Sequence, residues 1–329
     1  MLKRANELAC LGLGLTGTNP IVGAVLVSAD GKVIGEGFHK SGPHAEVVAL
    51  EQAGQSAKGA TLYVTLEPCN HYGKTAPCTE AIINAGVAKV VYAVSDPNAL
   101  ASGGAAALSA AGIEVVLNSE VPEVSKSNRA WLHKIKTGRP YFIWKIATTL
   151  DGRTAAIDGS SKWITGPESR AEVSKLRSAS SAILIGTGTA ITDNPNLVPR
   201  EDTEPNRTNP VRIVMGLRDV PAEFNLNNPE AETVFVRSHD FSDLLTLCQE
   251  RGFNQVLVES GSELGTALLS AGLIDELVIF QAASLLGSGQ SFIGDLGVSN
   301  IEEKLNFVIR DLAQFGNDLR ITLTKEMGI

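Results

Sequence analysis

An α/β fold in two domains is what the sequence predicts, on three observations. The chain has 329 residues, enough for two domains at roughly 150 residues each. Short β-rich apolar runs alternate with segments of helical period along its length, the pattern of strands layered with helices. The alternation breaks at Thr137-Gly138-Arg139-Pro140, a turn-forming stretch that reads as a linker. The expected domains are therefore residues 1–138 and 139–329.

Leu2, Ala5 and Ala9 fall on one face of an opening helix. Lys3-Arg4 would suit the start of a signal peptide, but Asn6 and Glu7 interrupt the apolar stretch that such a peptide needs. Residues 21–28 and 32–38 read as a hairpin that turns at Asp30-Gly31. A helix over 45–53, a strand over 60–66, a helix over 79–85 and a strand over 89–95 follow. A helix over 105–111, a strand over 113–117 and one polar helix over 121–136 complete a three-layer α/β/α pattern with a mixed sheet. The strongest strands of the second domain are 142–148, 182–185, 211–215, 233–236, 255–259 and 276–281, with a helix over 262–271. Two late strands, near 307–311 and 319–324, make a hairpin around Phe315-Gly316-Asn317-Asp318. The polar segment 199–209 reads as an exposed loop.

At 43% hydrophobic and 19% charged residues, the chain can bury substantial cores. Its 28 Lys and Arg against 36 Asp and Glu give a net charge of −8, with no basic block. That balance argues against broad nucleic-acid binding but leaves room for a small phosphorylated substrate, which needs only a few local cations. No apolar run reaches the roughly 18 residues of a membrane span. A cytoplasmic protein is the expectation, with Cys10 and Cys248 as ordinary reduced cysteines.

His44-Ala45-Glu46, Pro68-Cys69 and Pro77-Cys78 carry the strongest chemical signal. One imidazole and two thiolates can hold a zinc ion and leave a fourth tetrahedral position for water, as catalytic zinc sites do. Cysteines in such a chain are often just small buried hydrophobes. Here, however, His44 and Cys78 stand at helix starts that follow strands, where the helix dipole favours a thiolate. Glu46, two residues past the histidine, is placed to move a proton from water to a leaving amine. His71 is the nearest fourth ligand for a closed structural site, which keeps that alternative open. Gly12-Leu13-Gly14-Leu15-Thr16-Gly17 spells a dinucleotide fingerprint, but it follows a helix-like segment where the fingerprint requires a strand.

These segments resemble the cytidine-deaminase-like superfamily, whose H-x-E…P-C-x-x-C signature binds zinc and deaminates nucleobases. Eight residues, rather than two, separate Cys69 from Cys78. That long insert, Asn70-His71-Tyr72-Gly73-Lys74-Thr75-Ala76-Pro77, resembles the pyrimidine deaminase of riboflavin biosynthesis, as do Asn19-Pro20-Ile21-Val22-Gly23 and Asp96-Pro97-Asn98. Ala76 stands where that family usually has proline. The resemblance implies that His71 and Lys74 bind a substrate 5′-phosphate and that Asn19 contacts ring or ribose. The plainer readings are a solvated surface lysine for Lys74 and a turn residue before proline for Asn19.

In the second domain the blocks are Lys145–Arg153, Ser160–Gly166, Leu176-Arg177, Ile183–Pro195 and Val256–Gly265. Gly186, Gly188 and Gly261 follow apolar strands, where bare backbone suits a close ligand or a phosphate, although glycine alone reads sooner as a tight turn. Together the blocks resemble the riboflavin-pathway reductase, whose fold is like dihydrofolate reductase, in the deaminase-then-reductase order of the bifunctional bacterial family. This resemblance implies NADPH contacts at Ala147, Trp163, Thr189, Asp193, Gly261, Ser262, Glu263, Leu264 and Gly265. It implies substrate contacts at Ser161, Arg177, Leu197, Arg200 and Glu259, the two arginines suiting a second 5′-phosphate. Where the family often carries aspartate after the strand at 211–215, this chain has Gly216 and a shortened turn to Leu217-Arg218.

The expected function is therefore zinc-dependent deamination of 2,5-diamino-6-ribosylamino-4(3H)-pyrimidinone 5′-phosphate, then NADPH-dependent reduction of the ribosyl group to ribityl. The family often assembles, so a homo-oligomer is expected. The runners-up are a deaminase of another base with a degenerate reductase domain, and a zinc-stabilised binding module. Glu46 separates the last from the others, since a structural site has no use for it.

Overall fold

The structure, a computed structural model, describes residues 1–73, 76–200 and 208–325. Lys74 and most of the polar segment 199–209 lie outside the described residues. The chain divides into two compact units, Met1–Arg139 and Pro140–Ile329.

The first unit runs α1 (Leu2–Cys10), β1 (Gly23–Val27), β2 (Val33–Phe38), α2 (Ala45–Ala53), β3 (Thr61–Leu66), α3 (Cys78–Asn84), β4 (Lys89–Val94), α4 (Gly104–Ala110), β5 (Glu114–Leu117), α5 (Pro122–Ser127) and α6 (Arg129–Thr137). Its five strands lie in the order β2-β1-β3-β4-β5. The β1 strand is antiparallel to β2 and β3, whereas β3, β4 and β5 are parallel, so the sheet is mixed. One face buries Ala24, Leu26, Leu62 and Val64 with Ala45, Ala49 and Ile82 of α2 and α3. The other buries Val25 and Val27 with Ala5 and Leu8 of α1, and Val91 and Ala93 with Val124 of α5. Alternate side chains of each strand thus feed opposite layers.

The close seating of α2 depends on two glycines. A Cβ on Gly35 would lie 2.1 Å from the Ala49 carbonyl oxygen, and one on Gly37 would lie 2.3 Å from that of Ala45. With no side chain there, the helix backbone rests on β2 itself.

The single helix expected over 121–136 is two. It breaks at Asn128, whose amide accepts from Ile21 N–H at 3.0 Å and donates to Ile21 C=O at 2.7 Å. Ile21 precedes β1 and has no strand partner for those groups, so a side chain supplies both hydrogen bonds.

The second unit runs β6 (Tyr141–Thr148), β7 (Arg153–Ala155), α7 (Pro167–Ser178), β8 (Ala182–Gly186), α8 (Thr187–Asp193), β9 (Val211–Met215), β10 (Thr233–Val236), α9 (Phe241–Glu250), β11 (Gln255–Val258), α10 (Ser262–Ser270), β12 (Glu276–Ala282), β13 (Gln290–Ser291), β14 (Phe307–Phe315) and β15 (Asp318–Lys325). Eight strands form one sheet, β10-β9-β8-β11-β6-β12-β15-β14. The six from β10 to β12 are parallel, and the β14–β15 hairpin closes the sheet antiparallel. The β14 strand carries an extra residue between Ile309 and Asp311. Phe142, Trp144, Leu184, Ile213 and Val256 pack against Leu244 and Cys248 of α9 and Leu268 and Leu269 of α10. Helices α7 and α9 and the small β7–β13 ladder are elements that the sequence reading did not identify. In such an open parallel sheet, ligands bind beyond the carboxyl ends of the strands.

Asn128→Ala should leave the Ile21 N–H and C=O without partners and cost the first unit roughly 2–6 kcal/mol, at about 1–3 kcal/mol for each of the two unsatisfied buried groups. Hydrogen exchange of the β1 and β3 amides should quicken in this variant, while that of β6 and β11 should not change.

Candidate functional site

In the first unit, two strand-to-helix junctions, β2–α2 and β3–α3, bring the donors together. His44 is the residue before α2, Cys69 follows β3 by way of Glu67-Pro68, and Cys78 opens α3. Their ligand atoms all lie within 4.8 Å of one another. His44 Nδ1 is 3.2 Å from Cys78 Sγ and 3.5 Å from Cys69 Sγ. The Cys78 N–H donates to Cys69 Sγ at 3.4 Å. The loop before Cys69 is pinned by Glu67, whose carboxylate accepts from Ala105 N–H at 2.9 Å and Asp96 N–H at 3.2 Å.

Hydrogen bonds from Cys78 and then His44 pull the Cys69 thiol down against opposing burial, which favours a thiolate there. One imidazole and two sulfurs at this separation fit zinc. Glu46 lies in the first turn of α2 and is only 3% exposed. Burial pushes its carboxyl up to about 7. Its Oε2 is buried with no hydrogen-bond partner, a leftover acceptor of the kind found where chemistry is done rather than where a fold is held. His71 contributes no ligand atom to the cluster, and its buried Nδ1 has no partner.

Asn19 reaches the cluster through a residue that the sequence reading did not single out. Its Nδ2 is 3.4 Å from His39 Nε2, and the buried His39 ring meets His44 edge-on with centroids 5.3 Å apart. The available signal was a histidine at the end of a strand, five residues before His44. The glycine-rich run at 12–17 lies in turns after α1 with no helix following, and a Cβ on Gly12 would press on the His39 carbonyl oxygen at 2.5 Å.

In the second unit several of the predicted site residues gather near the carboxyl ends of β6, β8 and β11. Glu259 follows β11, and Arg177 of α7 grips its two oxygens at 2.5 and 3.0 Å. Lys145 of β6 joins it at 3.0 Å. Burial opposes the Glu259 charge, but Arg177 and then Lys145 overcome it and hold the carboxyl at about 2. Asp193, at the end of α8, is pushed up by burial against the pull of Lys162 and Lys145. Lys145 thus acts on both carboxylates. Its signal was a lone lysine within the apolar strand Tyr-Phe-Ile-Trp-Lys-Ile-Ala.

Arg177 does not stand free as one arm of an arginine pair: its fork is engaged by Glu259, and its Nη1 donates to Val198 C=O at 3.3 Å. Arg200 is exposed and stands 6.0 Å from the centre of the Trp163 ring, with Arg170 nearer at 4.6 Å. Leu197 is buried with a left-handed backbone, φ 61°, uncommon for a bulky side chain and a mark of a constrained segment. Ser161 is half-buried, as is Ala147, two residues beyond Lys145 on the same side of β6.

Gly261 and Thr189, 72 residues apart, meet where the Gly261 N–H donates to Thr189 Oγ1 at 3.3 Å. Nothing but that oxygen, at 3.9 Å, lies within 4 Å of the place a Gly261 Cβ would take. The adjoining Ser260 Oγ is buried without a partner, and Ser262, Glu263 and Leu264 form the first turn of α10. Open backbone and spare donors at a helix start fit the phosphates of a dinucleotide. Gly265 does something else: a Cβ there would lie 2.0 Å from Trp144 Cζ2, so this glycine seats α10 on β6.

Comparison with known proteins gives one answer for both units. The family model of the RibD C-terminal domain matches residues 140–321. That of the cytidine and deoxycytidylate deaminase zinc-binding region matches residues 1–94. The riboflavin biosynthesis protein RibD of Mycobacterium tuberculosis strain H37Rv is 44% identical over 314 residues, covering 94% of this chain and 92% of that protein. The solved structure of Acinetobacter baumannii RibD, form 1, is 39% identical with a TM-score of 0.91, covering 99% of this chain and 98% of that one. The Thermotoga maritima diaminohydroxyphosphoribosylaminopyrimidine deaminase/5-amino-6-(5-phosphoribosylamino)uracil reductase is 34% identical with a TM-score of 0.90, covering 98% and 97%.

Cys69→Ser should abolish zinc binding, because a neutral hydroxyl is a poor substitute for a thiolate. Metal analysis of the purified variant should find almost none, against about one zinc per chain in the parent.

Proposed function

The chain belongs to the RibD family of riboflavin-biosynthesis proteins, and from that premise we infer how its own residues divide the work. It is a bifunctional enzyme of riboflavin biosynthesis, with a zinc-dependent deaminase and an NADPH-dependent reductase. The deaminase converts 2,5-diamino-6-ribosylamino-4(3H)-pyrimidinone 5′-phosphate to the aminouracil. The reductase turns its ribosyl group into ribityl, giving 5-amino-6-(5-phospho-D-ribitylamino)uracil. We assign the first reaction to residues 1–138 and the second to 139–329.

The observation that carries the deaminase assignment is the unpartnered Glu46 Oε2 beside three converging donors. We assign His44, Cys69 and Cys78 as the zinc ligands. Zinc held there supplies Lewis acidity and lets water act as a nucleophile near neutral pH. Deamination replaces an exocyclic amino group by oxygen, so one proton must leave the water and another must reach the departing ammonia. Glu46 Oε2 is the acceptor placed to take the first and return it. Asn19, braced by His39, and His71 and Lys74 of the loop between the cysteines are our candidates for holding the ring and the 5′-phosphate.

For the reductase, NADPH supplies the hydride, and the protein binds and orients the reactants. Ala147, Trp163, Thr189, Asp193 and the turn Gly261–Leu264 are our cofactor residues. Gly265 supports them by seating α10. Ser161, Leu197, Arg200 and Glu259 are our substrate residues. Arg177 serves by locking the Glu259 carboxylate in one ionised geometry, with Lys145 as its second support.

We keep a homo-oligomer as part of the reading, supported by the exposed Ile309 and Leu312 of β14, which are 64% and 60% exposed. We keep a cytoplasmic location too, since a reducing compartment suits four unpaired cysteines. Among the described residues, no helix is long and apolar enough to cross a membrane.

Glu46→Gln should keep its zinc yet lose deamination by at least about a hundredfold, because the amide preserves shape but carries no proton. Incubation with the diaminopyrimidine phosphate and mass analysis of the products should show this, and reduction of pre-deaminated substrate should survive.

Gly261→Val should weaken NADPH binding by about tenfold or more, since a side chain there obstructs close approach of the phosphates. Fluorescence titration should show the loss, while deamination stays at the parent rate.

A further inference from the structure

The short turn after β9 carries Gly216 and Arg218, and the structure gives it a specific neighbour. A Cβ on Gly188 would lie 2.8 Å from Arg218 Nη2. The guanidinium therefore lies against the first turn of α8, at a spot left open by glycine. Arg218 itself is exposed and makes no hydrogen bond or ion pair among the described residues. Gly216, which starts the turn, has φ 132°, and a Cβ there would collide with Thr187 Oγ1 at 2.6 Å. Position 216 is thus closed to an acidic side chain, and the short turn delivers an arginine instead. Asp219, the carboxylate next in sequence, is drawn away by Arg237 at 2.6 Å.

Three strand ends now line up. Gly261 follows β11, Thr189 follows β8 and bonds Gly261, and Arg218 follows β9. In the sheet these strands are adjacent, in the order β9-β8-β11. The strands that lead to Gly261 and Arg218, β11 and β9, are two strand spacings apart, about 10 Å. Sites for NAD place a carboxylate where the adenosine ribose 2′-OH binds, and sites for NADP place an arginine there to meet the 2′-phosphate. A free guanidinium beside the dinucleotide turn, with the carboxylate alternative excluded at Gly216, meets the second description. We infer that Arg218 binds the 2′-phosphate of NADPH and is the residue by which this chain selects NADPH over NADH. The inference rests on the reading that the second unit binds NADPH across the Thr189–Gly261 contact.

The test is equilibrium binding of NADPH and NADH, each alone, to the full-length protein and to Arg218→Leu and Arg218→Lys. Charge-assisted hydrogen bonds contribute about 1.5–3 kcal/mol, which corresponds to a roughly 10- to 100-fold rise in the NADPH Kd of Arg218→Leu. The NADH Kd should stay within about twofold, because NADH has nothing for Arg218 to hold. Arg218→Lys should recover part of the loss, since it restores charge without the fork. In the parent protein, raising the salt concentration should weaken NADPH more than NADH, and in Arg218→Leu that difference should shrink. Equal weakening of both dinucleotides, or an unchanged NADPH Kd in Arg218→Leu, would overturn the assignment while leaving the cofactor cleft in place. Failure of the parent protein to bind either dinucleotide would instead overturn the cleft, and the inference with it.

Discussion

The deaminase half depends on one backbone contact, α2 resting on the bare glycines of β2. Because Gly35 and Gly37 present no side chains, the helix sits close enough for its first turn to project over the end of the sheet. His44 and Glu46 ride on that turn, and Cys78 arrives on α3, which packs in the same layer. Three donors from two junctions, β2–α2 and β3–α3, thus meet at the end of the sheet. A helix displaced outward by even one methyl group would separate His44 from the two sulfurs, and the soft donor set would no longer enclose a metal.

Two buried glutamates show how differently the units treat the same functional group. Glu46 is buried with an oxygen unanswered, and burial raises its carboxyl to about 7. Glu259 is also buried, yet two cations answer it and its carboxyl falls to about 2. The first is poised to change protonation state, which suits the proton transfer we propose for it. The second stays ionised throughout the neutral range and offers a fixed acceptor. The environment, not the residue type, assigns each its task.

Much of this was legible beforehand, for identifiable reasons. The helix over 45–53 and the strands over 60–66, 89–95 and 211–215 have strong periodicity and sharp borders, so local pattern sufficed. The donors His44, Cys69 and Cys78 are rare residue types with flanking prolines, and their spacing is informative by itself. What escaped notice depends on contacts far apart in sequence. Asn128 breaks a helix because Ile21, 107 residues earlier, needs two hydrogen bonds. His39 matters through the ring it touches, and Lys145 through two carboxylates that come from β11 and α8. Arg177 has a helical sequence context that says nothing of Glu259, 82 residues on. Gly265 looked like one more glycine of the cofactor turn, and only packing reveals Trp144 beneath it.

The extra residue in β14 has a bearing on how the molecule avoids fibrillar association. The β14 strand is one border of an eight-stranded sheet, nine residues long and carrying exposed Ile309 and Leu312, which is a template for uncontrolled strand addition. The surplus Arg310 interrupts the hydrogen-bonding rhythm between Ile309 and Asp311, and its guanidinium turns back to Thr324 at 2.8 Å. A kinked, charged border cannot zip to a copy of itself over its full length. The opposite border, β10, is only four residues long. With one margin bent and the other short, both ends of the sheet are poor templates for a further strand.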